Sequence, residues 1–222
     1  MEVIEIGRAE SGYPGSLEVV LGDDAPERLW FTGNFDLLNR PGVAFFCSQG
    51  CTGLEATLTY DIVQLFRDEG CTVAGGWQSP MEQEALNLLL KSPHPIIAGL
   101  ARALPNARLP PAWKSALTTG RMLVVSACPP EGRRVTSASA AQRNLVIGAL
   151  ADRVFVAHLR PGGRTDRLAN RLVRSGKPVF ALRGAMLTAE SGNRCLNLSE
   201  PNSMNEGLIR ALVSGMLADG CR

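Results

Sequence analysis

Apolar runs of strand length alternate with stretches of helical periodicity along most of the chain. Residues 43–47, 71–74, 96–100, 122–126, 154–158 and 179–182 read as strands. Between them, residues 53–69, 80–91, 112–120, 138–151 and 165–175 carry the spacing of helices. This alternation predicts βαβ units and an α/β fold: a Rossmann-like, doubly wound, mostly parallel sheet with helices on both faces. Several strands run directly into small or polar residues, at Ser48-Gln49-Gly50, at Gly75-Gly76, and at His158 ahead of Arg160-Pro161-Gly162-Gly163. Ligands of open α/β sheets bind outside the carboxyl ends of the strands, so these loops are the first places to look for a site. Near the end of the chain, Leu208, Ile209, Leu212, Val213 and Met216 recur at helical spacing, a face suited to the sheet or to a second subunit.

The Pro-rich segments Leu109-Pro110-Pro111 and Cys128-Pro129-Pro130 interrupt the pattern without ending it, because strand and helix alternate on both sides. One domain over residues 1–222 is therefore expected, with a lead-in over 1–40, a core over 41–185 and a C-terminal extension carrying a helix over 186–222. At 222 residues and 45% hydrophobic, the chain can bury a core without covalent staples. Its six cysteines show no paired C-x-x-C spacing, which points to reduced thiols in a cytoplasmic setting. The acidic N-terminus and the lack of any long apolar run argue against a secretory signal and against a membrane span.

The net charge of +2 is nearly neutral, but the cations are unevenly placed. From Arg133 to Arg183, arginines at 133, 134, 143, 153, 160, 164, 167, 171, 174 and 183 and Lys177 face only Asp152 and Asp166. Arginine's planar fork suits phosphate, so this stretch is a candidate rim for an anionic ligand, with a solvated helix face as the competing reading. The form Pro161-Gly162-Gly163-Arg164-Thr165 after a strand suits backbone amides aimed at a phosphate, with Thr165 as candidate N-cap. Gly75-Gly76 and residues 48–53, with Thr52 as a polar donor, are two further candidate phosphate loops. For each glycine pair a tight αβ turn is the competing reading.

An ordered set of short matches adds to this reading. Tyr13-Pro14, Leu29 to Gly33-Asn34, Leu37-Leu38 and Pro41 to Val43-Ala44 come first. They are followed by Gly75-Gly76, Glu84-Ala85-Leu86, Pro110-Pro111, and Ser126 ahead of Pro129-Pro130. Arg143-Asn144 with Ile147-Gly148-Ala149-Leu150, residues 154–157, Gly176-Lys177-Pro178-Val179-Phe180-Ala181 and Gly192-Asn193 complete the series. In this order, over residues 13–195, the chain resembles the core of the DNA-processing protein A (DprA/Smf) family, without the winged-helix domain some members append. It departs from that pattern at Cys47-Ser48-Gln49, where the family has Gly-Ser-Arg. It departs again at Trp77-Gln78-Ser79-Pro80-Met81, at Ala127 in place of a glutamate, and at Leu145 in place of a second arginine. Each change removes a polar group from the expected pocket rim.

The resemblance implies a protein without enzymatic activity that binds single-stranded DNA and hands it to a RecA-type recombinase, and a homodimer built through the Rossmann-like core. Carried onto this chain, the expected contacts are Ser48, Gln49, Gly75, Gly76, Arg143, Asn144, Arg160, Gly162, Gly163, Arg164, Thr165 and Arg167, with Arg133, Arg134 and Lys177 as further members of the rim. The stretch 161–166 is also similar to the Pro-Gly-Gly motif of the lysine-decarboxylase-like nucleotide phosphoribohydrolases. That motif is one residue short here, so Asp166 does not align with the family's glutamate and is better explained by the helix dipole. A nucleotide-binding or nucleotide-hydrolysing protein is thus the alternative, and a scaffold that has lost its ligand is a third. No catalytic residues, metal or cofactor are expected. His94 and His158 lack partners at metal-ligand spacing, no Gly-x-Ser-x-Gly elbow occurs, and Cys47 has no base beside it in the sequence. His158 at a strand end is read as a structural, hydrogen-bonded histidine in preference to a ligand contact, and Trp77 as a core cover in preference to a base-stacking ring.

Overall fold

Strands flanked by helices on both faces bury both sets of side chains, which is why Gly42–Cys47 (β3) reads as an unbroken apolar run and is buried at every position. In the computed structural model, which describes residues 2–40, 42–105, 107–132, 134–182 and 194–196, β3 is an interior strand of a nine-stranded sheet. The other strands are β1 (Ile4–Gly7), β2 (Arg28–Gly33), β4 (Thr72–Gly75), β5 (Ile96–Leu100), β6 (Met122–Ser126), β7 (Arg153–His158), β8 (Val179–Leu182) and β9 (Arg194–Leu196). Their order is β1-β2-β6-β5-β4-β3-β7-β8-β9. From β6 to β9 all neighbours are parallel, while β1 and β2 close one edge antiparallel. The expected doubly wound sheet is therefore present, and every strand and helix expected within the described residues lies within one residue of its place, with one helix starting a residue early and ending two early. The helix over 208–216, the match at Gly192-Asn193, Arg133 and Arg183 lie outside the described residues.

The pleat sorts β3 onto two cores. Val43, Phe45 and Cys47 pack with Ile62, Val63 and Phe66 of α2 (Gly53–Asp68), Met81, Ala85 and Leu89 of α3 (Pro80–Leu90), and Ala116 of α4 (Pro111–Thr118). Ala44 and Phe46 face Leu17 and Leu21 of α1 (Gly15–Leu21), Val146 and Ile147 of α5 (Ser137–Leu150), and Leu168 and Leu172 of α6 (Arg164–Arg174). Helices α2 and α3 begin with reciprocal capping boxes, Thr52 with Glu55 and Ser79 with Glu82, and α3 also carries Pro80 at its start.

The lead-in belongs to the same sheet. Tyr13 donates its hydroxyl to the Pro26 carbonyl at 2.6 Å. Asn34 donates its backbone N–H to Met122 O at 3.1 Å and its side-chain amide to Gly120 O at 2.7 Å. Just before it, Gly33 has φ +110, and a β-carbon there would come within 2.2 Å of Met122 O. Only glycine can bring β2 this close to β6, which explains the Gly-Asn pair in physical terms.

Gly33→Ala is therefore expected to lower unfolding free energy by at least about 3 kcal/mol, since backbone strain and a backbone clash combine. Gly120→Ala, also at positive φ but facing open space, should cost only about 1–2 kcal/mol. Urea unfolding midpoints measure both, and equal shifts would show that the β2–β6 contact yields easily.

Candidate nucleic-acid interface

From β3 the chain proceeds outward through β4, β5 and β6 on one side, then crosses to β7 and β8 on the other. The connections after β3 and β7 thus diverge and leave a crevice between them, at the carboxyl edge of the sheet. Register slips between Phe46 and Cys47, so that Cys47 pairs with His158 at the mouth of this crevice.

The two loops are tied together from within. Ser48 donates its N–H to His158 O at 2.9 Å, and Ser48 Oγ accepts the Arg160 N–H at 3.3 Å. His158 Nδ1 lies 2.9 Å from Glu55 Oε1, and the other Glu55 oxygen accepts both the N–H and the hydroxyl of Thr52 at 2.8 Å. Burial alone would push the Glu55 carboxyl up; the Thr52 donors and the His158 ring outweigh it and hold the group below the usual carboxylate value. His158 is thus the hydrogen-bonded histidine the sequence favoured. Below this layer, buried Glu82 accepts N–H bonds from Cys47 at 3.0 Å, Gln78 at 2.7 Å and Ser79 at 3.1 Å, joining the end of β3 to the start of α3. Its burial pushes the carboxyl up, against the pull of those amides and of Arg143.

The loop after β7 corrects the amide-cradle reading. Gly162 donates its N–H to Asp166 Oδ2 at 2.8 Å, and Gly163 donates its N–H to Arg160 O at 2.9 Å. Both amides are already engaged, and the chain's own carboxylate occupies the place of an anion. Nor is Thr165 the N-cap. Gly163 holds that position without a side-chain bond, and Asp166 in the first turn reaches back to the Gly162 N–H. What the loop does present is side chains: Arg160, Arg164 and Arg167 are exposed. Arg164 Nη2 reaches Ser137 Oγ at 3.1 Å across the gap to α5, and Arg167 Nη1 donates to Gly162 O at 2.8 Å.

Arg143 is not on the rim. It is 6% exposed, donates from Nε to Asn144 Oδ1 at 2.7 Å and from Nη1 to Gly76 O at 3.0 Å, and burial pushes its pKa down. Gly75 and Gly76 make room for internal packing: a β-carbon on Gly76 would meet the Arg143 guanidinium at 2.4 Å, and one on Gly75 the Trp77 indole at 2.8 Å. Trp77 is 3% exposed, stacks on Phe45, and covers the core in the way read from the sequence. Lys177 also leaves the rim. It sits at the opposite, amino edge, where its ammonium donates to Ala151 O and burial lowers its pKa. His94 is buried ahead of β5 at that same edge, and burial pushes its pKa down to about 4.

Ser48, Arg160, Gly162, Gly163, Arg164, Thr165 and Arg167 are therefore gathered around the β3/β7 crevice, with exposed Gln49 on the loop beside Ser48 and exposed Arg134 on the loop before α5. Gly75, Gly76 and Arg143 lie toward β4 and β5, below the surface, with half-buried Asn144 bonded to Arg143. Glu55 and Glu82 were missed as site-building groups, although the patterns Thr52-x-x-Glu55 and Ser79-x-x-Glu82 ahead of apolar runs announce capping boxes. Among the described residues, no group of three His, Cys, Asp or Glu could hold a metal ion, and no helix is long and apolar enough to cross a membrane.

A doubly wound sheet with an arginine-lined crevice at its strand-order reversal defines a Rossmann-like α/β protein. The model of the family "DNA recombination-mediator protein A" matches residues 5–202, and the chain belongs to that family. Among solved structures it is similar to DNA processing protein A from Streptococcus pneumoniae, with 25% identity and a TM-score of 0.69 over 84% of this chain; it spans 65% of that protein's length. It is also similar in fold to DNA processing protein A from Helicobacter pylori, a structure described in terms of its single-stranded DNA binding mode. That match has 19% identity and a TM-score of 0.70, covering 98% of this chain and 97% of that one. No curated protein matches the chain.

Glu55→Gln is expected to destabilise the protein at neutral pH, because an amide cannot accept from Thr52 and meet His158 as the carboxylate does. Since the folded carboxyl sits below its unfolded value, the stabilisation is full above the ordinary glutamate range and is lost as pH falls through the folded value. The stability gap between wild type and variant should therefore narrow in acid; denaturant titrations from neutral pH downward measure it, and a constant gap would contradict this assignment.

Proposed function

We propose that this chain binds single-stranded DNA along the arginine lip of the β3/β7 crevice and acts without enzymatic chemistry as a recombination mediator. The observation that carries the reading is electrostatic. Exposed Arg160, Arg164 and Arg167 cluster within residues 160–167, after β7, and form no ion pair among the described residues, unlike Arg8, Arg28, Arg67 and Arg171, which each pair with a carboxylate. Cations left unpaired on one lip raise the local potential and are available to phosphates, and their guanidiniums suit bidentate contact. Family membership and the subject of the Helicobacter pylori structure support the same ligand.

Contacts of this kind position a backbone and read little sequence. Of the remaining expected residues, Ser48, Gln49 and Thr165 lie beside the arginines, while Gly75, Gly76, Arg143 and Asn144 lie toward β4 and β5 and fall outside this contact set. Delivery of the strand to a RecA-type recombinase, self-association into a homodimer and a cytoplasmic location belong to this proposal as its biological setting. Occupation of the Gly162-Gly163 amides by Asp166 and Arg160 weighs against the alternative, a small nucleotide cradled by that loop.

Fluorescence anisotropy of a labelled strand of ~30 nucleotides across a salt series tests the reading, with each phosphate contact contributing about 0.7 to the slope of log K against log salt. The double substitution Arg164→Ala/Arg167→Ala should weaken binding and reduce that slope by about 1.4. Arg40→Ala/Arg174→Ala, which removes exposed arginines far from the crevice, should leave the slope unchanged. Equal effects of the two pairs would overturn the site, and displacement of the strand by mononucleotides would transfer the reading to a nucleotide ligand.

A further inference from the structure

A second crevice, of about 450 Å³, opens at the same carboxyl edge over the ends of β4 and β5, between α3 and α4. None of the arginine-lip residues lines it. We propose that it is a nucleobase-binding site, which takes a base turned out of the strand held by the neighbouring arginine lip; this deepens the strand-binding reading and rests on it.

The lining has the chemistry such a guest needs. Half-buried Trp113 of α4 and buried Leu86 of α3 supply aromatic and apolar walls for a flat ring. Gln78, Gln83 and Asn87 supply neutral amide edges, each with both donors and an acceptor. Two of these amides are only lightly engaged: Gln78 Nε2 donates to Gly76 O and Gln83 Nε2 to Gln78 O, each at 3.3 Å. Hydrogen-bonding groups of this type match base edges and would be poorly served by a purely apolar guest, which would strip them of water.

Arg102 also lines the crevice. Its side chain donates to Arg108 O at 3.3 Å, it has no carboxylate partner among the described residues, and no carboxylate is among the lining residues. An anionic backbone can therefore approach this mouth without meeting like charge.

Floor and mouth add two further observations. Trp77 forms part of the lining, yet it holds φ 55, the one non-glycine residue at positive φ among those described, and its buried Nε1 has no hydrogen-bond partner. Strained backbone and unpaired donors of this kind collect at ligand sites, where the surroundings enforce them. At the mouth stands Val135, 56% exposed, and two residues later Ser137 receives the Arg164 guanidinium. Two residues of chain reach at most roughly 7 Å, so a strand gripped by Arg164 passes beside the opening.

The test compares two labelled strands of equal length and charge, one of thymidines and one in which the bases are replaced by abasic tetrahydrofuran units. Wild type should prefer the base-bearing strand about tenfold, the scale of one stacked base. Trp113→Ala, and the exposed Gln83→Ala as a variant that spares the core, should bring the ratio toward one with the salt slope unchanged. The double variant Arg164→Ala/Arg167→Ala should do the reverse, losing slope but keeping the ratio. Equal binding of both strands by wild type, or an unchanged ratio in both crevice variants, would overturn the base site while leaving the arginine lip intact. Loss of the lip reading would show separately, as strand binding without salt dependence or no strand binding. Thymidine monophosphate alone supplies an independent arm: quenching of tryptophan fluorescence that Trp113→Phe abolishes places the base in the crevice. Quenching by neither strand nor mononucleotide overturns the proposal, and saturable mononucleotide binding without a base preference in strands reassigns the guest to a free nucleotide.

Discussion

The pairing of β3 with a parallel neighbour on each side governs the rest of this molecule. Because β3 and β7 run side by side in parallel, their outgoing loops leave the same edge and turn to opposite faces of the sheet, toward α2 and α6. The crevice between them is a consequence of connectivity, and the residues that border it need only be small or polar enough to leave it open. Ser48 then fastens one loop to the other through the His158 carbonyl and the Arg160 amide. Glu55 fixes the start of α2 against His158, and Glu82 fixes the start of α3 against the end of β3. Two carboxylates thus spend their hydrogen-bonding capacity on architecture, which keeps them from meeting a ligand as free anions.

The clustering after β7 of arginines that form no ion pair among the described residues then favours an anion at this edge. Asp166 lies in the very turn that carries the arginines, but it is turned inward onto Gly162 and Asn170. This arrangement removes the turn's amides from use and at the same time removes the carboxylate from competition with phosphate for Arg164 and Arg167. The proposed recognition would therefore rest on side-chain cations, a mode that does not depend on an arginine at position 49. Long flexible cations on the β7 side can reach across a crevice that a fixed amide cradle could not.

Much of this architecture was legible in the sequence. Unbroken apolar runs such as residues 43–47 and 122–126 announce strands buried on both faces, and the helices between them announce the parallel sheet. The site was less legible, since charge counted along a chain does not say which edge a residue occupies. Arg160, Arg164 and Arg167 follow the carboxyl end of β7 and reach the crevice, whereas Lys177 precedes β8 and falls at the amino edge. Arg143 misleads for a different reason: an arginine on a helix ordinarily faces water, and only the facing Gly76 and Gly99 create the slot that takes it in. The glycine pair at 75–76 likewise serves Trp77 and Arg143, a use that cannot be separated from phosphate binding without coordinates. Strand β1 escaped notice because it is a four-residue edge strand whose exposed positions blur the alternation.

Helix α5 links the two crevices mechanically. Its first residue, Ser137, holds Arg164 of the lip; one turn and a half further on, Arg143 holds the Gly76 carbonyl, and its aliphatic stem packs where a side chain on Gly99 would stand. Gly76 and Gly99 are themselves lining residues of the second crevice. A rigid helix therefore sets the separation between the cation proposed to meet a phosphate and the wall against which a base would rest. The buried guanidinium is costly to hold away from water, and burial indeed lowers its pKa. Its place is explained by what an apolar residue could not do there, namely bond the backbone of β4's outgoing loop and so keep both mouths at a fixed spacing along one edge.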